Sequence, residues 1–105
     1  MKSFRFLKKE DVLRYYEISI ALFGGGYGIR DLPLLESAIA QPKLVSAYGD
    51  YDIFDIAATY LFHIIKNHPF VDGNKRTALI STITFLEMNG FKTNFDFDSL
   101  YQLTL

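Results

Sequence analysis

The chain has 105 residues, of which 50% are hydrophobic and 16% aromatic, with a net charge of −1 and no cysteine. This length and composition predict one domain with a substantial core, and the near-zero charge excludes long-range attraction to nucleic acid or to an anionic membrane. Without cysteine the chain has neither a disulfide framework nor a thiol nucleophile, which fits a reducing, cytoplasmic setting.

The first 28 residues predict a short strand, a helix and a glycine-rich loop. Residues 4–7 alternate in polarity, which is typical of an edge strand. Residues 9–23 carry apolar side chains at helical spacing, with Glu10 and Asp11 in the first turn, and this predicts an amphipathic helix. Residues 24–28 read GGGYG. Because this run does not satisfy G-x-G-x-x-G and follows a helix, we interpret it as a helix-ending loop.

A second, short helix is predicted from Asp31 to Ala40. Asp31 is a good N-cap residue, and a proline follows in the first turn, where it is tolerated. Pro42 should close the helix, because the residue before a proline is pushed out of the helical region. Residues 43–50 have no helical period and are predicted to be extended.

A third helix is predicted over residues 53–66, with Asp50 or Asp52 as its cap. Its apolar stretch is too short to span a bilayer and contains Asp55 and His63. The chain start shows no signal peptide. A soluble protein is therefore expected.

The centre of the fold is predicted to be a helix over residues 74–89. A segment of about 16 residues that is apolar on nearly every side cannot lie on a surface, so it should be a buried helix of roughly 24 Å. Residues 91–95 alternate weakly and predict a second strand, and residues 99–105 predict a final helix of two turns. The expected fold is mainly α, a compact helical bundle around the central helix with one or two short β-strands.

The polar residues that precede the central helix form the candidate site. Residues 68–77 read HPFVDGNKRT. The first turn of a helix has unpaired N–H groups and a partial positive charge. Gly73 can take a positive φ angle, which lets consecutive N–H groups form an anion-binding concavity. Lys75 and Arg76 add two cations, so the expected ligand is a phosphate.

Two further residues of this stretch suit phosphate chemistry. Asp72 can supply the single carboxylate that Mg²⁺ uses together with phosphate oxygens. His68 can accept a proton near neutral pH. Together these groups predict a phosphoryl- or nucleotidyl-transfer site. Each residue also has a structural interpretation, since Asp-Gly is a common turn pair and Asn74 a common N-cap residue.

These residues resemble a known family. His-Pro-Phe-x-Asp-Gly-Asn-Lys-Arg is similar to the signature of the Fic/Doc superfamily, in its Doc (death-on-curing) branch. Residues 28–31 (GIRD), 34–38 (LLESA) and 89–91 (NGF) also resemble Doc-type toxins, so the likeness covers most of the chain. It implies a single Fic/Doc-type domain over residues 1–105, shortened at the C-terminus relative to the family.

Two positions separate the branches. Fic proteins that transfer AMP typically have glycine where this chain has Lys75 and a further arginine where it has Leu79. The resemblance therefore implies a Doc-type toxin, a kinase that uses ATP and Mg²⁺ to phosphorylate a threonine of elongation factor Tu and so stops translation.

The resemblance also implies roles for the individual residues. His68 becomes the base on the target hydroxyl and Asp72 the Mg²⁺ carboxylate. The anion cradle is then Gly73 and Asn74, and the phosphate clamps are Lys75 and Arg76.

The resemblance further implies an antitoxin acting in trans, since no self-inhibitory [Ser/Thr]-x-x-x-Glu-[Gly/Asn] motif is found. Residues 43–48 are either the flap that holds the target or a connecting loop. Two alternative functions remain, a Fic-type AMP or other nucleotidyl transferase and a noncatalytic antitoxin-binding module.

Overall fold

The structure, a computed structural model, describes residues 3–94, and these residues form four helices. They are α1 (Lys9–Phe23), α2 (Leu32–Tyr48), α3 (Ile53–Asn67) and α4 (Asn74–Met88). Helix α3 packs against both α4 and α2, and α1 packs mainly against α4. The predicted mainly α bundle around a central helix is confirmed.

The N-termini of two helices are fixed by aspartate side chains. Asp31 accepts a hydrogen bond from the Leu34 N–H at 2.9 Å and caps α2, as predicted. Of the two candidate caps for α3 it is Asp52 that accepts, from the Asp55 N–H at 2.9 Å, while Asp55 accepts from the Asp52 N–H. This reciprocal pair satisfies donors that the first helical turn leaves unpaired.

The core is built from aromatic side chains that meet around α4. Tyr60 of α3 and Phe85 of α4 are fully buried, with ring centroids 5.0 Å apart. Within α4 only Lys75 and Glu87 are exposed, because neighbouring segments cover the helix on most sides. Burial raises the pKa of the Tyr60 phenol to about 12, so this hydroxyl stays neutral and available for hydrogen bonding.

The predicted strand at residues 4–7 is wrong, because the backbone of this extended segment is paired with side chains and not with another strand. Asn89 accepts from the Arg5 N–H at 2.8 Å and donates to the Arg5 carbonyl at 3.0 Å. The Leu7 N–H donates to the Tyr60 hydroxyl at 3.0 Å. With these polar groups paired, the segment has no need of a ladder partner.

The predicted end of the second helix is also wrong. Helix α2 continues through Pro42 to Tyr48, so residues 43–48, expected to be extended and a candidate flap, are helical. An internal proline costs a helix about 3 kcal/mol. Pro42 is buried and Val45 packs against the core, and burying an apolar side chain contributes about 1.5–3 kcal/mol. Packing therefore offsets the local preference.

Among residues 3–94 the β structure is limited to one isolated antiparallel bridge, between Ile29 and Phe70. Residues 91–94 are not in a strand. The last residue of the predicted second strand and the final helix predicted over residues 99–105 lie outside the described residues. In the described part of the chain no helix is long and apolar enough to cross a membrane.

Candidate active site

The loop between α3 and α4 is held from behind by the segment that leads into α2. The Pro69 carbonyl accepts from the N–H groups of Arg30 and Asp31, at 2.7 and 3.0 Å. The Val71 N–H donates to the Gly28 carbonyl at 2.9 Å. These bonds tie the middle of the loop to residues 28–31, and its two ends continue directly into helices α3 and α4. The loop is therefore held in place by rigid elements.

Phe70 anchors the middle of this loop in the core. Its ring is fully buried and lies flat on Tyr16, with centroids 4.1 Å apart and planes 4° from parallel. The side chain of Asn74 accepts from the Phe70 N–H at 3.0 Å and donates to the Phe70 carbonyl at 2.9 Å. Phe70 is therefore a core residue and does not line the cleft.

The N-terminus of α4 has the open N–H groups that an anion site requires. Gly73 is the N-cap residue, with a φ of 78°, and its carbonyl accepts from the Thr77 N–H. Asn74 is therefore the first helical residue and not the cap. The N–H groups of residues 74–76 have no acceptor within the helix. With its side chain committed to Phe70, Asn74 can bind an anion only through its backbone.

All six predicted site residues line one cleft of about 530 Å³. They come from the end of α3 and the start of α4, and they are His68, Asp72, Gly73, Asn74, Lys75 and Arg76. A contiguous stretch reaches one cleft because the loop turns back over its buried phenylalanine. The cleft is open to solvent.

Asp72 is held as a carboxylate at the edge of the cleft. It accepts from the Gly26 N–H at 3.2 Å and from the Gly73 N–H at 2.9 Å. These hydrogen bonds, and then the nearby charges of Arg76 and His68, lower the pKa of the Asp72 carboxyl. Residues 3–94 contain no cluster of three or more potential metal ligands. A lone ionised carboxylate beside a phosphate cradle fits Mg²⁺, which fills its other positions with water and phosphate oxygens.

His68 ends α3 in a left-handed backbone conformation, with φ 50° and ψ 55°. Its side chain is exposed on the cleft and makes no hydrogen bond to any residue between 3 and 94. The imidazole is therefore available to a substrate proton. Lys75 is similarly exposed, and its ammonium makes no ion pair with the described residues.

Four residues of the cleft wall were not predicted from the sequence. They are Phe23, Gly24, Gly25 and Ile65. The Arg76 guanidinium donates to the Gly24 carbonyl at 2.9 Å and lies 5.5 Å from the centroid of the Phe23 ring. The glycine run, interpreted as a helix-ending loop, is thus also part of the site. The sequence contained a signal for this second role of the loop. One glycine suffices to end a helix, whereas this run has three consecutive glycines.

The fold and the cleft together define a helical protein in which an exposed imidazole and an ionised carboxylate flank the N-terminus of the central helix. A sequence model of the Fic/DOC family matches residues 6–86. The chain belongs to the Fic/DOC family, which confirms the resemblance drawn from the motif.

Two curated relatives are similar over most of the chain. The protein named Toxin Doc from Mycolicibacterium smegmatis is 42% identical over 97 residues, covering 89% of this chain and 71% of that protein. The protein named Protein kinase doc from Escherichia phage P1 is 35% identical over 102 residues, covering 96% of this chain and 80% of that protein.

Proposed function

We propose that this protein is a Doc-type toxin kinase that transfers the γ-phosphate of ATP to a hydroxyl of a protein target. The observation that carries the proposal is the shared cleft, where an unpaired imidazole and an ionised carboxylate flank the N-terminus of α4. The similarity to a protein named as a kinase supports it. The proposed target is a threonine of elongation factor Tu, and its phosphorylation would arrest translation in the cytoplasm.

In the proposed reaction His68 takes the proton of the target hydroxyl. The hydroxyl oxygen forms a bond to the γ-phosphorus, and the bond from that phosphorus to the β–γ bridging oxygen breaks, releasing ADP. The N–H groups at the start of α4 and the cations of Lys75 and Arg76 bind the phosphate oxygens. Such transfer depends mainly on positioning and on charge stabilisation.

Mg²⁺ is the proposed cofactor, and Asp72 would hold it. When bound, the ion supplies positive charge that neutralises phosphate oxygens. Because its pKa is lowered, Asp72 remains ionised throughout the neutral range and needs no proton release to bind the metal. A cognate antitoxin acting in trans is the proposed regulatory partner, as the similarity to a toxin suggests.

The proposal is tested by a transfer assay with purified protein, Mg²⁺ and elongation factor Tu, run in parallel with ATP labelled at the γ or at the α phosphate. We expect label only from the γ position. Label from the α position would establish nucleotidyl transfer. Absence of both would favour the noncatalytic module, whose mark is antitoxin binding that survives loss of His68, Asp72 and Lys75 together.

The role of His68 has a matched control in the same chain. His68→Ala should abolish transfer while nucleotide binding persists, because the phosphate contacts come from α4. His63→Ala removes the other of the two histidines, which lies on α3 away from the cleft, and should leave transfer intact. Full transfer by His68→Ala would refute the assignment of the base.

A further inference from the structure

The backbone of His68 adopts a conformation that its side chain disfavours. Among residues 3–94 it is the sole non-glycine residue with a positive φ. In this region the Cβ atom crowds the following carbonyl oxygen, so residues other than glycine enter it at a cost. Such a conformation persists where the surroundings hold it in place. The same backbone angles decide where the imidazole points.

Arg30, which lies in the segment before α2, hydrogen-bonds to the carbonyls of three consecutive residues, 67–69. The Arg30 side chain donates from Nε to the His68 carbonyl at 2.7 Å and from Nη2 to the Asn67 carbonyl at 2.8 Å. Its backbone N–H donates to the Pro69 carbonyl at 2.7 Å. The fixed fork of a guanidinium suits two adjacent carbonyls, and the end of a helix favours a cation.

Neither packing nor substrate contact accounts for an arginine at this position. Arg30 is exposed and lies outside the core. It is also absent from the lining of the cleft, so it does not reach a bound phosphate there. Among the described residues, its side chain hydrogen-bonds to the carbonyls of Asn67 and His68. These two carbonyls directly precede and follow the two rotatable backbone bonds of His68.

We infer that Arg30 is a positioning residue that fixes His68 in its left-handed conformation and thereby places the imidazole over the cleft. The inference rests on the proposed function in one respect, that His68 is the base. Arg30 acts through the backbone of His68 and touches neither nucleotide nor target.

The kinetic test uses Arg30→Gln and Arg30→Lys. Misplacing a catalytic group by about 1 Å costs roughly 100-fold in rate, so kcat for phosphate transfer by Arg30→Gln should fall by about that factor. The KM for ATP should stay within about threefold of wild type, because the phosphate contacts are untouched. Arg30→Lys keeps the charge and loses the forked donor geometry, so its kcat should lie between those of wild type and Arg30→Gln. Arg14→Gln, an exposed arginine on α1, is the matched control and should behave as wild type.

The structural test is NMR of the free protein, which needs no substrate. The chain has two histidines, so the Cα, Cβ and three-bond coupling signals of His68 can be read beside those of His63. In Arg30→Gln the His68 signals should leave their left-handed values while those of His63 stay fixed. If Arg30→Gln proves unfolded by circular dichroism, Arg30→Lys carries the same test.

The outcomes separate this inference from the proposed function. Unchanged His68 signals in folded Arg30 variants would overturn the inference, as would wild-type kcat in Arg30→Gln. A rise in KM with kcat unchanged would also overturn it. If the wild-type protein transfers no phosphate, the proposed function fails, and the NMR comparison still decides whether Arg30 holds His68.

Discussion

The double hydrogen bond between Asn74 and Phe70 gives a quantitative prediction for stability. Asn74→Ala would leave the buried N–H and carbonyl of Phe70 without partners. Each buried polar group left unsatisfied costs about 1–3 kcal/mol, so the loss of two partners should lower the free energy of unfolding by roughly 2–6 kcal/mol. That loss is a large share of the total free energy of unfolding of a domain, which is typically about 5–15 kcal/mol.

Urea unfolding is the suitable assay, followed by circular dichroism because the chain is helical and has no tryptophan. With a slope of about 2 kcal/mol per molar urea, the middle of the usual range, the midpoint should fall by roughly 1–3 M. Lys75→Ala is the matched control one residue along. It removes an exposed cation from a helix N-terminus, which should leave stability unchanged or raise it by about 0.3–1 kcal/mol. A loss below about 1 kcal/mol in Asn74→Ala would refute the reasoning.

Three further predictions concern the cleft wall and its support. Gly25→Ala should weaken Mg²⁺–ATP binding in a titration, since the new Cβ would lie 2.9 Å from an Asp72 oxygen; Gly24→Ala, which also has a positive φ but meets nothing within 4 Å, is the control. Asp72→Asn should lower stability at neutral pH. Because folding lowers the carboxyl pKa from 3.8, the wild-type advantage is present above that value and disappears as pH falls through the lowered pKa; equal stability of the two proteins at pH 7 would contradict this. Tyr16→Phe removes a hydroxyl that accepts from the Gly28 N–H at 2.6 Å, so urea unfolding should show a loss of about 1–3 kcal/mol.

The helices could be predicted because their signals are local. Helical periodicity located α1 and α3, a capping aspartate marked the start of α3, and a segment that is apolar on nearly every side located α4, each to within about a residue. The end of α2 could not be predicted, because the preference of Pro42 is overridden by burial against other helices. The error at residues 4–7 has the same kind of cause. The partner of Arg5 is a side chain 84 residues away, and no local pattern reports such a contact.

The site was predicted to the extent that it lies in one contiguous stretch. The motif of residues 68–77 supplied the imidazole, the carboxylate and the helix terminus, and all of them meet at the cleft. The contributions of Gly24, Gly25 and Arg30 come from other segments. Arg30 contacts the loop from 38 residues away, and its sequence neighbours show only an N-cap and a turn.

The burial pattern of the motif explains why so short a stretch is recognisable. Within it His68, Asp72 and Lys75 are exposed, whereas Pro69, Phe70, Gly73 and Asn74 are buried. The side chains of these three exposed residues carry the proposed chemistry. The buried residues fix the distance between them, and Gly73 and Asn74 also belong to the proposed anion cradle. If only the reactive side chains were required, they could lie on several separate loops. Here the loop's own core residues set the geometry, so both sets of residues must occur at fixed spacing. A substitution at Phe70 should therefore damage transfer as much as one at Asp72, although the Phe70 ring does not line the cleft. Phe70→Ala should lose about 3–5 kcal/mol of stability and, in the fraction that stays folded, most of the transfer rate.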